Sequence, residues 1–139
     1  MPPRTIALLI EYQGTAYAGW QRQADAPSVQ AAVEDAIRKI TGRRSAVIAA
    51  GRTDAKVHAA GQVAHFKTSS RLPLEKWVGA LNANLPPDIA VLKAWEPPAG
   101  FHAQFSAKGK TYAYRIWNAR GRSALLYDRA WHVQVPLNL

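Results

Sequence analysis

Residues 45–68 carry the sequence SAVIAAGRTDAKVHAAGQVAHFKT, in which two strand-like segments flank a short junction. Residues 45–50 are a continuous apolar run, and residues 61–68 alternate in part between apolar and polar side chains. Both patterns are typical of β-strands. The stretch therefore predicts two consecutive strands joined by a turn-like junction at residues 51–60.

A helix and a further strand are predicted on each side of this pair. Residues 28–42 have apolar residues at helical spacing between Ser28, a favoured N-cap, and Gly42, which suits a left-handed C-terminal position. On the exposed side of this helix, Glu34 and Arg38 are expected to pair. In chain order, the predicted elements are a strand over 5–12, the helix over 28–42, the strands over 45–50 and 61–68, a helix from Pro73 to Leu85, and a strand over 89–95.

This order predicts an α+β fold: a ferredoxin-like or RRM-like antiparallel sheet with both helices on one face. The other face is expected to be free, and in RNA-binding folds of this type the nucleic acid lies there. The proline-rich residues 96–100 resemble a linker, so we expect a first domain over residues 1–99 that contains the junction. Residues 111–118 and 130–135 are predicted strands of a second half, over residues 100–139, that begins without being completed.

Charge is the first functional indication. The chain has 18 Lys and Arg against 9 Asp and Glu, a formal net charge of +9, and such a surface attracts polyanions. Aromatic side chains lie among the basic ones between residues 108 and 129, a combination that suits phosphate contact and base stacking in RNA. A solvated basic face explains the composition equally well.

The composition excludes several other classes of function. Cysteine is absent, which rules out disulfides, thiolate metal sites and cysteine nucleophiles. The N-terminal apolar run, Thr5 to Ile10, is too short for a signal sequence or a membrane span. We therefore expect a soluble, cytoplasmic protein without membrane association.

The most specific segment is the junction Gly51-Arg52-Thr53-Asp54-Ala55-Lys56-Val57-His58-Ala59. An aspartate after a strand is commonly a turn-former that bonds its own backbone. Here, however, eight of nine residues match GRTDAGVHA, and the junction resembles the active-site motif of the tRNA pseudouridine synthase A family. Further segments resemble this family in the same order: Gly19 to Gln23, Ser28 to Gln30, Leu81 to Pro86, Phe101 to Ala107, and Lys110 to Tyr114.

The resemblance implies an isomerase that converts uridines in the anticodon stem-loop of tRNA to pseudouridine, with Asp54 as nucleophile or base. It implies tRNA as partner, a homodimer, and no cofactor. Arg52 would fill the space left by the flipped nucleotide, and Tyr112 would stack on the uracil. His58 is expected to bond the loop around Asp54 and to contribute to substrate binding.

Simpler explanations remain open for these residues. Arg52 could be a surface cation paired with Asp54, and Tyr112 a core residue on a strand, where only one of Tyr112 and Tyr114 can face the site. A metal site is not expected, because the histidines near Asp54 have no cysteine or second carboxylate beside them. The expected phosphate contacts, each of which could also be solvated charge, are Arg22, Lys56, Lys108, Lys110, Arg120 and Arg122.

Three departures from the family are evident. Family members continue well beyond the position of Leu139, so we expect a fragment or truncated product with impaired activity alone. Lys56 replaces a glycine, which implies strain of about 1 kcal/mol if the position has a positive φ, obstruction of RNA, or a substitute cation. Gln104 replaces an arginine. Two alternatives therefore stay open: a catalytically inactive RNA-binding module of the same fold, and a small RRM-like assembly domain with an incidental basic face.

Overall fold

The computed structural model describes residues 3–138 and belongs to the α+β class, as predicted. Two compact units are present, one ending at Lys108 and the other beginning at Gly109. The first unit contains a four-stranded antiparallel sheet and two α-helices. Residues 100–108 belong to this unit. The domain boundary expected between residues 99 and 100 stays a prediction.

The elements of the first unit follow the predicted order of strands and helices. The elements are β1 Arg4–Tyr12, α1 Val29–Thr41, β2 Ile48–Ala49, β3 Ala59–Thr68, α2 Trp77–Ala83 and β4 Ile89–Trp95. Two short 3-10 helices, Gly14–Ala16 and Leu74–Lys76, precede the α-helices. The strand order in the sheet is β2-β3-β1-β4, and every neighbouring pair is antiparallel.

One hydrophobic core joins the sheet to both helices. Alternate residues of the central strand β1, namely Ile6, Leu8 and Ile10, are fully buried, which places them on one face of the sheet. Trp77 of α2 packs edge-on against Phe66 of β3, with ring centroids 5.3 Å apart. The same core includes the helical residues Val29, Val33, Ala36, Ile37 and Leu81.

The ends of α1 are fixed by the two local signals seen in the sequence. The Ser28 hydroxyl accepts a hydrogen bond from the Ala31 N–H at 3.1 Å, and so caps the first turn. At the other end, Gly42 has a φ of 77° and donates its N–H to the Arg38 carbonyl at 2.8 Å. Both predicted boundaries are confirmed.

Strand β2 is shorter than the predicted residues 45–50, because side chains of α1 form hydrogen bonds with the backbone N–H and carbonyl of Val47. The Val47 N–H donates to Glu34 Oε2 at 2.9 Å, and the Val47 carbonyl accepts from Gln30 Nε2 at 2.9 Å. Glu34 is buried and pairs through Oε1 with Arg22 Nε at 2.9 Å. The expected pair of Glu34 with Arg38 on an exposed face is therefore wrong.

Helix α2 is also shorter than predicted, since its first turn is the 3-10 helix Leu74–Lys76. Near its C-terminus the Asn82 side chain bonds both backbone groups of Val91: Nδ2 donates to the carbonyl at 3.0 Å, and Oδ1 accepts the N–H at 2.8 Å. These contacts attach the end of α2 to β4. Both α-helices, of 13 and 7 residues, are too short to cross a membrane.

The second face of the sheet, expected to be free, is covered at His65. His65 is 4% exposed, and its Nδ1 accepts the Ala103 N–H at 3.1 Å. The rings of Phe101 and His102 pack edge-on against it, with centroids 5.9 and 4.8 Å away. Burial, and then the charges of His102 and Lys67, lower the pKa of His65.

The second unit contains β5 Ile116–Asn118 and β6 Trp131–Val133, which pair in parallel. Both strands are shorter than predicted. The apolar side chains in and around them are largely exposed, so little packing favours a longer strand pair. Tyr112 and Tyr114 precede β5 and are 60% and 87% exposed, so the expectation that they alternate across a strand is wrong.

Candidate active site

The junction between β2 and β3, residues 51–58, forms a loop closed at its base by β3; it is called the Asp54 loop below. The Ala50 N–H donates to the Val63 carbonyl at 2.8 Å, and Gln62 Nε2 donates to the Gly51 carbonyl at 2.6 Å. Inside the loop, the Val57 N–H donates to the Asp54 carbonyl at 3.2 Å. Asp54 therefore lies at the start of a turn at the end of the sheet.

Residues 14–20, the facing segment, support the Asp54 loop through the backbone. The Trp20 N–H donates to the Thr53 carbonyl at 3.0 Å, and the Lys56 N–H donates to the Tyr17 carbonyl at 3.1 Å. These two bonds lie on either side of Asp54 in the sequence. They fix the backbone that carries the carboxylate without engaging the carboxylate itself.

Side chains add two further contacts to this support. The hydroxyls of Tyr12 and Thr53 are hydrogen-bonded at 2.7 Å. The Gly14 N–H donates to His58 Nδ1 at 2.8 Å, which makes Nδ1 the acceptor nitrogen of that ring. His58 thus attaches its own loop to the facing segment, while its part in substrate binding stays a prediction.

The close approach of the two segments depends on two glycines. A β-carbon at position 14 would lie 2.0 Å from the Val57 carbonyl oxygen. At position 19 it would lie 2.5 Å from the Thr53 carbonyl oxygen, and Gly19 also has a φ of +107°. Backbone atoms cannot move away as flexible side chains can, so both positions require glycine.

The facing segment is itself attached to Asp88, which precedes β4. The Tyr17 hydroxyl donates to Asp88 Oδ1 at 2.6 Å, and the Gln13 N–H donates to the Asp88 carbonyl at 2.9 Å. Burial, and then the neighbouring Asp88, raise the pKa of Tyr17, so its hydroxyl keeps its proton and remains a donor. Trp20, 1% exposed, anchors the other end of the segment in the core.

Asp54 and Arg52 are both exposed on this supported loop. Within the described first unit, no lysine, arginine or histidine nitrogen lies within 4.0 Å of the Asp54 carboxylate. The alternative in which Arg52 is a surface cation paired with Asp54 is therefore not observed. Both side chains are accessible to a ligand from solvent.

Lys56 has a φ of 66°, the left-handed region that favours glycine. Of the three expectations for this position, the one based on a positive φ is confirmed. The side chain of Lys56 is exposed and lies two residues after Asp54.

The remaining predicted site residues lie in different places. Arg22 is bound to the buried Glu34, with its side chain 38% exposed, and Lys108 is exposed at the end of the first unit. Gln104 is exposed as well. The second unit carries Lys110, Tyr112, Arg120 and Arg122, all exposed. Among the described residues, no group of three or more His, Asp or Glu side chains is arranged to hold a metal ion.

Sequence reasoning missed the residues that support the loop. The sequence pattern places Tyr12 in a strand and Gly19 in a segment that resembles the family, and it indicates no supporting role for either residue or for Gly14 and Tyr17. The two glycines around Tyr17 were the available signal, because glycines that bracket an aromatic residue are compatible with close backbone approach.

Comparison with known proteins agrees with the motif in this loop. The family model for tRNA pseudouridine synthase matches residues 8–106. "tRNA pseudouridine synthase A" of Caldicellulosiruptor saccharolyticus is 48% identical over 136 residues, covering 98% of this chain and 56% of the relative. The Pseudomonas aeruginosa protein of the same name is 51% identical over 135 residues, covering 96% and 47%.

The chain spans about half the length of the curated relatives it matches. The family match itself extends from β1 to the segment that covers His65, and so includes both the Asp54 loop and its supports. The chain belongs to the tRNA pseudouridine synthase family.

Proposed function

We propose that this protein isomerises uridine to pseudouridine in the anticodon stem-loop of tRNA, with Asp54 as the catalytic carboxylate. The observation that carries the proposal is the exposed Asp54 on a loop whose backbone is bonded to the facing segment at Thr53 and Lys56. A carboxylate that must meet one carbon of a sugar needs a backbone of fixed position. The family match supports the same reaction.

The reaction requires no redox partner. The glycosidic bond from the ribose carbon to N1 of uracil breaks, a bond from the same carbon to C5 forms, and the proton of C5 is lost while N1 gains one. Atoms and electrons therefore balance within the nucleotide. Asp54 acts on the sugar or its adduct, as nucleophile or base.

Three other residues have proposed roles. Access to the glycosidic bond requires the nucleotide to leave its stack, which costs a few kcal/mol. Arg52, exposed two residues before Asp54, would fill the vacated space with its planar guanidinium. Tyr112 would stack on the uracil, and His58 would contribute to substrate binding while it holds the loop to Gly14.

Binding of tRNA is proposed to rest on exposed basic side chains. For Arg22 this contact competes with the ion pair to Glu34. The strand order and the two helices on one face support a ferredoxin-like assignment for the first unit. A homodimer acting in the cytoplasm is proposed from the family resemblance alone. The proposed phosphate contacts are Arg22, Lys56, Lys108, Lys110, Arg120 and Arg122.

A second candidate is a catalytically inactive RNA-binding module. It is favoured by the surroundings of Asp54: the carboxylate is exposed, and no cation of the described first unit lies within 4.0 Å of it. A catalytic carboxylate gains from a dry site and a fixed cation, because electrostatic stabilisation is strongest where water is excluded.

One experiment separates the two candidates. tRNA labelled with tritium at C5 of uracil releases the label to water when C5 becomes bonded to the sugar. We expect release with this chain and none with Asp54→Ala, while both bind tRNA equally. Binding of tRNA without release by the unsubstituted chain would favour the inactive module.

A further inference from the structure

A groove with a basic lining lies at the end of the sheet opposite the Asp54 loop. Its walls come from the segment after α1, residues 40–45, from the end of β3 and the residues after it, 67–70, and from Pro3. The groove is open to solvent and has a volume of about 480 Å³. It is called the basic groove below.

The charges of the basic groove have one sign. Among the described residues, Arg43, Arg44 and Lys67 line it, and no aspartate or glutamate does. None of these three cations forms an ion pair among the described residues of the first unit. Within the described first unit the groove therefore has an excess of positive charge, reduced only by the dipole at the C-terminus of α1, and this excess favours an anionic occupant.

Both walls of the groove are fixed by local hydrogen bonds. On one wall, the Arg43 N–H donates to Thr41 Oγ1 at 3.2 Å, just after the left-handed turn at Gly42. On the other wall, the Ser70 N–H donates to Thr68 Oγ1 at 3.1 Å. The backbone of the lining is therefore preorganised, which lowers part of the entropic cost of binding an anion.

Hydroxyl groups complete the lining. Ser45 and Ser69 also line the groove, and their hydroxyls form no hydrogen bond with any residue between 3 and 108. Hydroxyl donors beside arginine and lysine are the usual surroundings of a phosphate.

The simplest explanation of these charges is the C-terminus of α1, where cations offset the helix dipole. That explanation covers Arg43 and Arg44, which follow the helix. It does not cover Lys67, which the sheet contributes to the same groove, or the serines on the β3 side.

We propose that the basic groove binds a backbone phosphate of the tRNA substrate, at a point remote from the reacting uridine. The inference rests on the proposed function for its choice of RNA. Strand β3 runs ten residues from the end of the Asp54 loop to the groove. At about 3.3 Å per residue this is roughly 30 Å. An RNA that reaches both sites must therefore extend roughly 30 Å from the reacting uridine, and the proposal places the groove contact in a part of the tRNA outside the anticodon stem-loop.

The test compares two RNAs and two double variants. Arg43→Gln/Lys67→Gln removes two charges from the groove, and Lys76→Gln/Lys93→Gln removes two exposed charges that do not line it. Affinity is measured against salt concentration for tRNA and for an isolated anticodon stem-loop. For tRNA, the groove variant should reduce the magnitude of the slope of log affinity against log salt by about 0.9, the value for one phosphate that the protein no longer neutralises.

The stem-loop should be bound and isomerised equally by the groove variant and the unsubstituted chain. Ser69→Asp, which places a negative charge in the groove, should weaken tRNA binding and spare the stem-loop in the same way. An equal loss with the control pair, or an equal loss on both RNAs, would overturn the proposal. Failure of the proposed function looks different: no tritium is released from either RNA, while the affinity comparison is still readable.

Discussion

The Gly14 N–H donates to His58 Nδ1 at 2.8 Å across 44 residues of sequence. A β-carbon on residue 14 would also lie 2.0 Å from the Val57 carbonyl oxygen. Gly14 thus donates a hydrogen bond to the Asp54 loop, and its lack of a side chain lets the backbone of the loop approach closely. The shape of the loop depends on the facing segment as much as on its own sequence.

Gly14→Ala should lower the free energy of unfolding by about 2 kcal/mol or more, because the new methyl group meets backbone atoms. Urea denaturation measures the change. Gly79→Ala is the control, since a β-carbon in α2 at that position meets nothing within 4 Å. The control should stabilise the chain by up to about 1 kcal/mol. Equal stability of Gly14→Ala and the unsubstituted chain would contradict the close approach.

Lys56→Gly should stabilise the chain by up to about 0.6 kcal/mol: it relieves a strain of about 1 kcal/mol at the φ of 66°, and the greater freedom of glycine in the unfolded chain offsets about 0.4–1 kcal/mol of that gain. Ala55→Gly is the control: it changes a neighbour without a positive φ and should destabilise by about 0.4–1 kcal/mol through the unfolded chain. If both variants lose stability, the strain at Lys56 is absent. The affinity of Lys56→Gly for tRNA should fall by no more than the contribution of one phosphate contact.

Glu34→Gln should destabilise the chain by about 1–3 kcal/mol, because the buried carboxylate accepts from both Arg22 and the Val47 N–H. Thermal or urea unfolding measures this loss. Asp35→Asn is the matched control, since the Asp35 side chain is 56% exposed and its nearest Arg22 nitrogen is 3.9 Å away. A change within about 0.5 kcal/mol is expected for the control. Equal effects of the two substitutions would show that Glu34 makes no special contribution.

The free energy of unfolding should fall as the pH is lowered below about 6.5, because His65 is held neutral in the folded chain. Its folded-state pKa lies below the ordinary value of 6.5, so the unfolded chain binds this proton first as pH falls. The contribution of neutral His65 is complete above about pH 6.5 and is lost below it, together with the bond from the Ala103 N–H. His65→Asn keeps an acceptor that does not titrate in this range. Urea unfolding at about pH 7.5 and 5 should therefore show a smaller loss for His65→Asn. An equal loss would exclude His65 as the source.

Elements whose signals are local could be predicted from the sequence. Ser28 and Gly42 fix both ends of α1 through bonds within a few residues. The length of β2 could not be predicted, because Glu34 and Gln30 bond the backbone of Val47 from a different element. A residue-by-residue pattern carries no information on such contacts.

The same limit applies to the candidate site. The motif around Asp54 predicted where the loop lies, and its resemblance to the family implied that Asp54 is the catalytic carboxylate. It gave no indication that Tyr12 bonds Thr53 across 41 residues, or that Gly19 approaches the same residue. These contacts arise only when β1 and β3 pair and bring the two loops to one end of the sheet.

The central claim, that the Asp54 carboxylate performs the isomerisation, is tested most directly by the single-turnover rate of tritium release from C5-labelled tRNA by Asp54→Asn. Asp25→Asn makes the same change at another exposed aspartate and serves as control. Asp54→Asn should bind tRNA normally and lose activity by about three orders of magnitude or more, while Asp25→Asn keeps the unsubstituted rate. Release by Asp54→Asn at the rate of the unsubstituted chain would contradict the account.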